Sequence, residues 1–321
     1  MILVTGGAGF IGSNLVNFLS ANQTNEIVSV DLNNKKNESY FSSKKILKIK
    51  PPDLKSFLKR NRKKIKIVIH LGAITSTIEK NVKLIINNNI DLSIYIWNWC
   101  VKHNKRFIYA SSAATYGDGS NKFDDNESKE YLSKLLPLNL YGWSKHIFDK
   151  FVFEKKRDGL SPKQCVGLKF FNVYGPNEFH KKDMRSIVLK IYQTVSKNLD
   201  VKLFKSHNPD FKDGEQLRDF IYIKDVIKII QWIIDNKKIN GLFNVGSGEP
   251  RSFNDIAKAV FKQSNNQKKI KYINTPVEIR KQYQYYTRAD IAKLKSLGYR
   301  RKFTTLEDGI QDYIRNHLRN E

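Results

Sequence analysis

The chain has 321 residues, of which 40% are hydrophobic and 12% aromatic, enough for one large two-lobed unit or two modest domains. No apolar run reaches the roughly 18 residues that a membrane-spanning helix needs, so no membrane association is expected. The 57 Lys and Arg against 31 Asp and Glu give a net charge of +26, which fits either nucleic-acid binding or solvated basic faces. The densest runs, 59–66 and 268–271, lack interleaved aromatic residues, so we expect no specific nucleic-acid partner.

Short apolar runs alternate with amphipathic segments from the first residue onward. The runs predict strands over residues 2–5, 27–30, 65–70, 106–110 and 165–170. Helical spacing lies between them, as at Ile11, Leu15, Phe18 and Leu19. This alternation predicts an α/β fold with a Rossmann-type, doubly wound parallel sheet and helices on both of its faces.

The start of the chain and its two cysteines bear on the cellular compartment. Met1 leads directly into the apolar run of the first strand, without the basic-then-apolar pattern of a secretory signal. Cys100 and Cys165 each lie inside an apolar stretch, as reduced core residues do. We therefore expect a cytoplasmic protein.

The strand–helix rhythm loosens beyond residue 170. Two loop-like stretches, 171–185 and 205–217, carry many of the Pro, Gly, Asn and His residues. We predict a nucleotide-binding Rossmann domain of residues 1–170 plus about 218–236. A smaller α/β substrate-binding domain would comprise residues 171–217 and 237–321.

A glycine-rich turn follows the first predicted strand. Gly6, Gly9 and Gly12 precede an amphipathic helix, and Asp31 ends the second strand 19 residues after Gly12. Glycines at this spacing let backbone N–H groups approach a pyrophosphate at the helix N-terminus, and the acid is placed to bind a ribose. Asp31 favours the free 2′-hydroxyl of NAD, whereas Lys35 and Lys36 favour the 2′-phosphate of NADP, and the residues alone leave both open.

Tyr141 and Lys145 form a candidate acid–base pair. They are four residues apart, so on a helix they share a face, and the ammonium group favours the phenolate form of the tyrosine. Tyr141 then exchanges a proton with a substrate hydroxyl while a nicotinamide cofactor exchanges hydride. Ser112, at the end of a predicted strand, is expected to hydrogen-bond the same oxygen.

These motifs resemble the extended short-chain dehydrogenase/reductase family over most of the chain. The marks are TGGAGFIG at 5–12, Asp31, HLGA at 70–73, Ser111-Ser112, Tyr141 with Lys145, RDFIYI at 218–223 and FNVG at 243–246. The resemblance implies a catalytic triad of Ser112, Tyr141 and Lys145. Family members that dehydrate sugars carry an Asp-Glu pair where this chain has Ala113 and Ala114, so dehydration lacks its acid.

The second half of the chain resembles one branch of that family, the ADP-L-glycero-D-manno-heptose 6-epimerases. The similarity lies in FFNVYGPNEFHKKDM at 170–184, LFKSHNPDFKDGEQLRDFIY at 203–222 and QYQYYTRADIAKLKSLG at 282–298. It implies an ADP-heptose substrate, a role in the heptose precursor of lipopolysaccharide, and Lys181 as a second proton acceptor. It also implies NADP as the cofactor, with NAD the alternative, and a homo-oligomer, often a pentamer.

Carried over position by position, the resemblance implies two sets of binding residues. The cofactor set is Gly6, Gly9, Phe10, Ile11, Gly12, Asp31, Leu32, Lys35, Lys36, Leu71, Gly72, Ala73, Asn88, Lys145, Val173 and Lys181. The substrate set is Ser112, Asn172, Asp183, Lys190, Phe204, Lys205, Ser206, His207, Arg218 and Tyr283. No His, Cys or Asp spacing predicts a metal site.

The chain departs from this branch at two places. Asp183 and Lys190 stand where some relatives carry Ser and His, and the carboxylate either repels a diphosphate or accepts sugar hydroxyls. The stretch 205–217 is longer than in some relatives. Two other functions stay open: a UDP-hexose 4-epimerase, which shares the triad but does not need Lys181, and a non-catalytic, cofactor-sensing or nucleic-acid-binding member of the fold.

Overall fold

The fold is described from a computed structural model of the chain. The structure describes residues 1–22, 24–32, 39–41, 43, 45–264, 268–280 and 283–319, except for the side chains of 182, 278 and 279. Within these ranges, no helix is both long and apolar enough to cross a membrane. Cys100 and Cys165 are free and buried, and burial raises the pKa of both thiols.

A seven-stranded parallel sheet lies at the centre of the molecule. Its strands are β1 (Ile2–Thr5), β2 (Ile27–Val30), β3 (Leu47–Ile49), β4 (Ile67–His70), β5 (Arg106–Ser112), β6 (Gln164–Phe170) and β10 (Gly241–Val245). They are arranged in the order β3, β2, β1, β4, β5, β6, β10, and every neighbouring pair is parallel. Ile2 and Val4 belong to one apolar cluster and Leu3 to another. Both faces of the sheet are thus covered, as the predominantly apolar strands require.

Helices on both faces connect these strands. They are α1 (Phe10–Asn22), α2 (Leu54–Arg60), α3 (Val82–Ile85), α4 (Leu92–Lys102), α5 (Lys129–Lys134) and α6 (Leu140–Arg157). A π-helical turn, Ile86–Asp91, joins α3 to α4. The strand order reverses between β1 and β4. The crevice at the carboxyl ends of these two strands is where doubly wound sheets bind their ligands.

A smaller α/β region follows β6. Its strands are β7 (Asn172–Tyr174), β8 (Val201–Phe204), β9 (Leu217–Tyr222), β11 (Pro250–Ser252) and β12 (Ile270–Ile273). Its helices are α7 (Ile187–Ser196), α8 (Ile223–Asp235), α9 (Phe253–Ser264), α10 (Val277–Arg280), α11 (Ala292–Ser296) and α12 (Leu306–Tyr313). Strand β9 pairs with β7 in parallel and with β11 antiparallel, while β8 and β12 form a parallel pair.

The α/β fold predicted from the sequence is confirmed, and the five predicted strands are present with ends shifted by up to two residues. Strands β3 and β10 were not predicted. The stretch 171–185 is not simply a loop, because it contains β7 and a 3-10 helix, Phe179–Met184. The division into two domains stays a prediction. Residues 241–245, which the sequence analysis gave to the second domain, add a strand to the large sheet.

Candidate active site

The turn between β1 and α1 requires glycine at two positions. Gly6 has φ +67°, and a Cβ there would lie 2.6 Å from the backbone nitrogen of Gly72. A Cβ on Gly12, in the first turn of α1, would collide with the carbonyl oxygen of Gly6. Gly9 lies in the same turn, and Phe10 and Ile11 begin α1. The free N–H groups of this helix N-terminus are suited to a pyrophosphate.

Asp31 borders this glycine turn. Its Oδ2 accepts a hydrogen bond from the Ala8 N–H at 2.9 Å, and its Oδ1 accepts one from the Leu32 N–H at 2.7 Å. Leu32 itself is exposed. Both carboxylate oxygens therefore have backbone partners, and each keeps an acceptor site for a ribose hydroxyl. Lys35 and Lys36 lie outside the described residues.

The segment after β4 packs against the same turn. The Leu71 N–H donates to the carbonyl of Thr5 at 3.1 Å, and the Gly72 N–H donates to Oγ1 of Thr5 at 3.2 Å. Ala73 follows and is half-buried. The predicted cofactor residues of β1, β2 and β4 thus share one edge of the sheet. Asn88 lies in the π-helical turn, where its side chain donates to the Leu84 carbonyl at 2.8 Å.

Ser112 and Tyr141 meet at the end of β5, and Lys145 follows Tyr141 by four residues on the same face of α6. Asn139 caps the N-terminus of helix α6, and its side chain accepts a hydrogen bond from the Gly142 N–H at 2.8 Å. This cap places Tyr141 in the first turn of the helix and Lys145 one turn later. Burial raises the pKa of Tyr141, a hydrogen bond with Ser112 opposes that rise, and the charge of Asp149 adds to it.

Lys145 is a buried cation in the second turn of α6. Only 4% of its surface is exposed, and its ammonium group makes no hydrogen bond or ion pair with any described residue. Burial lowers its pKa to about 8, although Asp149 opposes the shift. Buried ammonium groups ordinarily have partners. Its position at the sheet edge suits the ribose hydroxyls of a nicotinamide nucleotide.

Lys181 lies on the segment Gly175–Ser186, here called the Lys181 loop. This loop covers the start of α1, because Asn14 donates to the Pro176 carbonyl at 2.9 Å. The ammonium nitrogen of Lys181 is 5.1 Å from the centroid of the Phe10 ring. Burial lowers the pKa of Lys181, and Lys190 lowers it further while Glu178 opposes the shift. These influences favour a lysine that can give up its proton.

Arg218 is a second buried cation at the site. It is 8% exposed, and the only hydrogen bond of its side chain among the described residues goes to the Leu217 carbonyl at 3.0 Å. Its guanidinium lies 5.1 Å from the Tyr283 ring centroid, and Phe204 meets that ring edge-on. Burial lowers the pKa of Arg218 to about 10, while Tyr283 and Tyr285 oppose the shift. A buried guanidinium with free donors suits a phosphate or diphosphate.

The other predicted substrate residues lie on three segments of the chain. Lys190 donates to the backbone carbonyl of Asp183 at 2.6 Å, so these two positions are coupled. Ser206 is held by Asp213 and Asn208, and His207 accepts from the Thr275 N–H. The N–H of Lys205 donates to the Ile273 carbonyl. Asn172 donates to the carbonyl of Asp219 at 3.1 Å, and Val173 follows it in β7.

Comparison with known proteins identifies the family of the chain. Residues 2–246 match the sequence profile of the NAD dependent epimerase/dehydratase family. The chain belongs to this family. Across its full length it is 42% identical to a protein of Fusobacterium nucleatum named ADP-L-glycero-D-manno-heptose-6-epimerase, of which it covers 99%.

Solved structures of other epimerases share the fold. The crystal structure of the Helicobacter pylori ADP-L-glycero-D-manno-heptose-6-epimerase has a TM-score of 0.77 and 31% identity, covering 98% of this chain and 94% of that one. A UDP-N-acetylglucosamine 4-epimerase of Methanobrevibacter ruminantium has a TM-score of 0.84 at 23% identity, over 100% and 98% of the two chains. At that identity the second comparison supports the fold alone.

Asn89 is a residue near the candidate site that the sequence motifs did not single out. Asn89 is buried, accepts from the Ile74 N–H at 2.8 Å and donates to Oγ of Ser144 at 2.9 Å. It therefore ties the segment after β4 to the helix that carries Tyr141 and Lys145. Helical spacing from the buried Ile85, four residues earlier, could have distinguished it from Asn88.

The residues present fit the nicotinamide nucleotide that the family name implies. The glycine turn suits its pyrophosphate, Asp31 suits a ribose, and the buried Lys145 suits a second ribose beside Tyr141. Within the described part of the chain, no group of His, Cys, Asp and Glu is arranged to hold a metal ion.

Proposed function

We propose that the protein interconverts ADP-D-glycero-D-manno-heptose and ADP-L-glycero-D-manno-heptose by transient oxidation at carbon 6. The observation that carries this proposal is the position of Lys181 over Phe10, which puts a second candidate base beside the cofactor turn. The full-length similarity to enzymes named for this reaction supports the same substrate. The product would enter the synthesis of lipopolysaccharide heptose in the cytoplasm, and the protein would work as a homo-oligomer.

Two bases give the reaction a simple route. The nicotinamide supplies reversible hydride exchange at carbon 6. Tyr141 removes the hydroxyl proton of one epimer, and rotation about the bond between carbons 5 and 6 then presents the other face of the ketone. The oxygen now lies elsewhere, so a different group must return the proton, and we assign that role to Lys181. Deuterium from heavy water at carbon 6 would contradict this scheme.

Arg218 is proposed to anchor the nucleotide end of the substrate. Its guanidinium has free donors, and the rings of Tyr283 and Phe204 form an aromatic wall beside it. A diphosphate held there remains fixed while the heptose side chain rotates, because rotation about one exocyclic bond moves nothing else. Asp183 and Lys190 are proposed to contact the sugar as a coupled pair.

NADP is proposed as the cofactor. Asp31 has backbone hydrogen bonds to both carboxylate oxygens, which partly satisfy its charge beside a 2′-phosphate. We predict that Asp31→Ala weakens NAD binding more than NADP binding, since only NAD offers a 2′-hydroxyl to the carboxylate. Dissociation constants of both reduced cofactors, measured by fluorescence titration, check this. Equal losses would remove Asp31 from the ribose site.

A product assay tests the proposed function. The purified protein is incubated separately with each ADP-heptose epimer and with UDP-glucose, and the products are separated by chromatography. We expect the two ADP-heptoses to interconvert without consumption of added cofactor. Conversion of UDP-glucose to UDP-galactose instead would favour a UDP-hexose 4-epimerase. Stoichiometric cofactor consumption would indicate a reductase.

A further inference from the structure

A fully buried ion pair lies beneath the candidate acid–base residues. The ammonium nitrogen of Lys169, in β6, is 2.8 Å from Oδ2 of Asp149, in α6, and neither side chain has any solvent exposure. Removing two charges from water is costly, and well-packed apolar replacements of such pairs are often as stable. The stability of the fold is therefore a weak explanation for this pair.

The partners of the pair lie on the segment that carries Ser112. Asp149 accepts hydrogen bonds from the hydroxyls of Tyr109 and Ser111, at 3.0 Å and 2.7 Å. Lys169 donates to Oγ1 of Thr115 at 2.7 Å, and Thr115 in turn donates to the Ser112 carbonyl at 2.8 Å. These bonds run along β5 and into the turn after it, so they fix the backbone on both sides of Ser112.

The pair also lies on the active-site face of α6. Asp149 follows Lys145 by four residues and Tyr141 by eight, and this spacing puts all three on one side of the helix. The Asp149 charge contributes to raising the pKa of Tyr141 and opposes the lowering of the pKa of Lys145. The opposite charge of Lys169, at 2.8 Å from the carboxylate, offsets that field.

We propose that Asp149 and Lys169 are positioning residues that fix Ser112 and balance the electric field acting on Tyr141 and Lys145. Neither touches substrate; both act through the residues above them. The proposal rests on the role given to Tyr141 in the proposed function. The other titratable groups facing the pair are Tyr109, Tyr116, Lys145, His146 and Cys165, with Glu127 and Lys156 farther out.

Nuclear magnetic resonance of protein labelled with ¹³Cζ-tyrosine, saturated with NADP⁺, measures the pKa of Tyr141 directly. The resonance is assigned with Tyr141→Phe. Asp149→Asn removes a negative charge and should lower the pKa, whereas Lys169→Met leaves that charge unbalanced and should raise it. Each shift should be at least about 0.5 units, and the double variant should return close to the unmodified protein.

Opposite shifts distinguish this proposal from a purely structural role. Shifts in the same direction, or none in either variant, would overturn it. If Lys169→Met does not fold, the double variant is compared with Asp149→Asn, and the pKa must rise when Lys169 is removed. If Tyr141 does not titrate below about pH 10.5 in the unmodified protein, Asp149→Asn must lower its pKa enough for the titration to be observed below that pH.

Two control variants complete the experiment. Asp225→Asn changes another buried carboxylate, which accepts hydrogen bonds from Thr304 and Lys228, and should leave the Tyr141 pKa unchanged. Thr115→Val removes the link from Lys169 to Ser112 without changing charge. Epimerase activity should therefore fall, while the Tyr141 pKa should shift little. The titration needs no sugar substrate. A protein that shows the opposite shifts but does not epimerise ADP-heptoses would contradict the proposed function and leave this inference standing.

Discussion

Tyr141 and Lys181 face different electrostatic problems as proton acceptors. Burial makes a lysine easier to deprotonate, and it lowers the pKa of Lys181 in the direction that a base requires. Burial raises the pKa of a tyrosine, so Tyr141 needs an opposing cation. Lys145 and the oxidised nicotinamide ring are the cations available to it.

We predict that Tyr141→Phe and Lys181→Met each lower net epimerisation by about 10²–10⁴-fold, the usual effect of losing a general acid or base. Nucleotide binding should be largely unchanged. Turnover is measured by chromatography of the ADP-heptoses, and binding by NADPH fluorescence. Lys258→Met, at an exposed position on α9, is the matched control and should be nearly normal. Near-normal turnover in Lys181→Met would reject the two-base scheme.

At the scale of an element, the Lys181 loop is held by Glu178. This buried carboxylate accepts hydrogen bonds from both the N–H and the hydroxyl of Ser186 and from the hydroxyl of Tyr313, in α12. It also receives the Gly175 N–H at 3.4 Å. One side chain thus joins both ends of the loop to a helix near the end of the chain.

We predict that Glu178→Gln weakens the attachment of this loop and shifts the pH dependence of the epimerase activity. The amide keeps one acceptor oxygen but places an NH₂ donor where the carboxylate had its second acceptor, at a cost of about 1–3 kcal/mol in the free energy of unfolding. Loss of the negative charge, which opposes the lowered pKa of Lys181, should move the activity limb belonging to Lys181 to lower pH. Urea unfolding and pH–rate profiles check both effects. Glu154→Gln, exposed on α6, should change neither.

The junction of β1, β4 and α4 contains a neutral histidine. His70 bonds Oγ1 of Thr5 at 2.6 Å and Oγ of Ser93 at 2.9 Å, and burial, with Lys145 as a smaller cause, lowers its pKa from 6.5 to about 3. The unfolded chain therefore binds a proton more readily than the folded one. The stability contribution is present above pH 6.5 and is lost as the pH falls towards 3.

We predict that the free energy of unfolding falls by about 2 kcal/mol on acidification from pH 7.5 to pH 5 because of His70 alone, since only the unfolded chain protonates this residue in that range. Urea unfolding at the two pH values measures this for the unmodified protein and for His70→Gln. The variant should be less stable at pH 7.5 but should lose about 2 kcal/mol less on acidification. An equal loss in both proteins would show that His70 is not kept neutral by the fold.

At the scale of the whole molecule, features that lie within one short segment could be predicted from the sequence, whereas contacts between distant segments could not. The glycine turn and the Tyr141–Lys145 spacing lie within single short segments, so the sequence showed them. Strand β10 was missed as part of the large sheet because its paired residues in β6 are 75 positions away. Lys169 and Asp149 could be paired only once β6 and α6 were in place, and the aromatic wall of Arg218 joins β8, β9 and the segment after α10.

Basic residues are concentrated in one surface region away from the candidate active site. A depression of about 680 Å³ is lined by Ser56, Lys59, Arg60, Arg62, Lys63 and Lys64. It lies at the amino end of the sheet, since the amino group of Met1 donates to the Lys64 carbonyl, whereas the candidate site is at the carboxyl end. This region carries no aromatic lining, so it offers phosphate contacts without a surface on which bases stack.

We predict that the protein binds nucleic acid weakly and without sequence preference through this region. Neutralising about five phosphates should make affinity fall about 10²–10³-fold between 50 and 200 mM salt, through counterion release. Fluorescence polarisation with two unrelated DNA duplexes across that range measures the slope. The triple variant Lys59→Ala, Arg60→Ala, Arg62→Ala should flatten the slope and leave epimerisation unchanged, because none of the three approaches the candidate site. Tight binding that distinguishes the two duplexes near physiological salt would instead indicate a nucleic-acid function that the site does not predict.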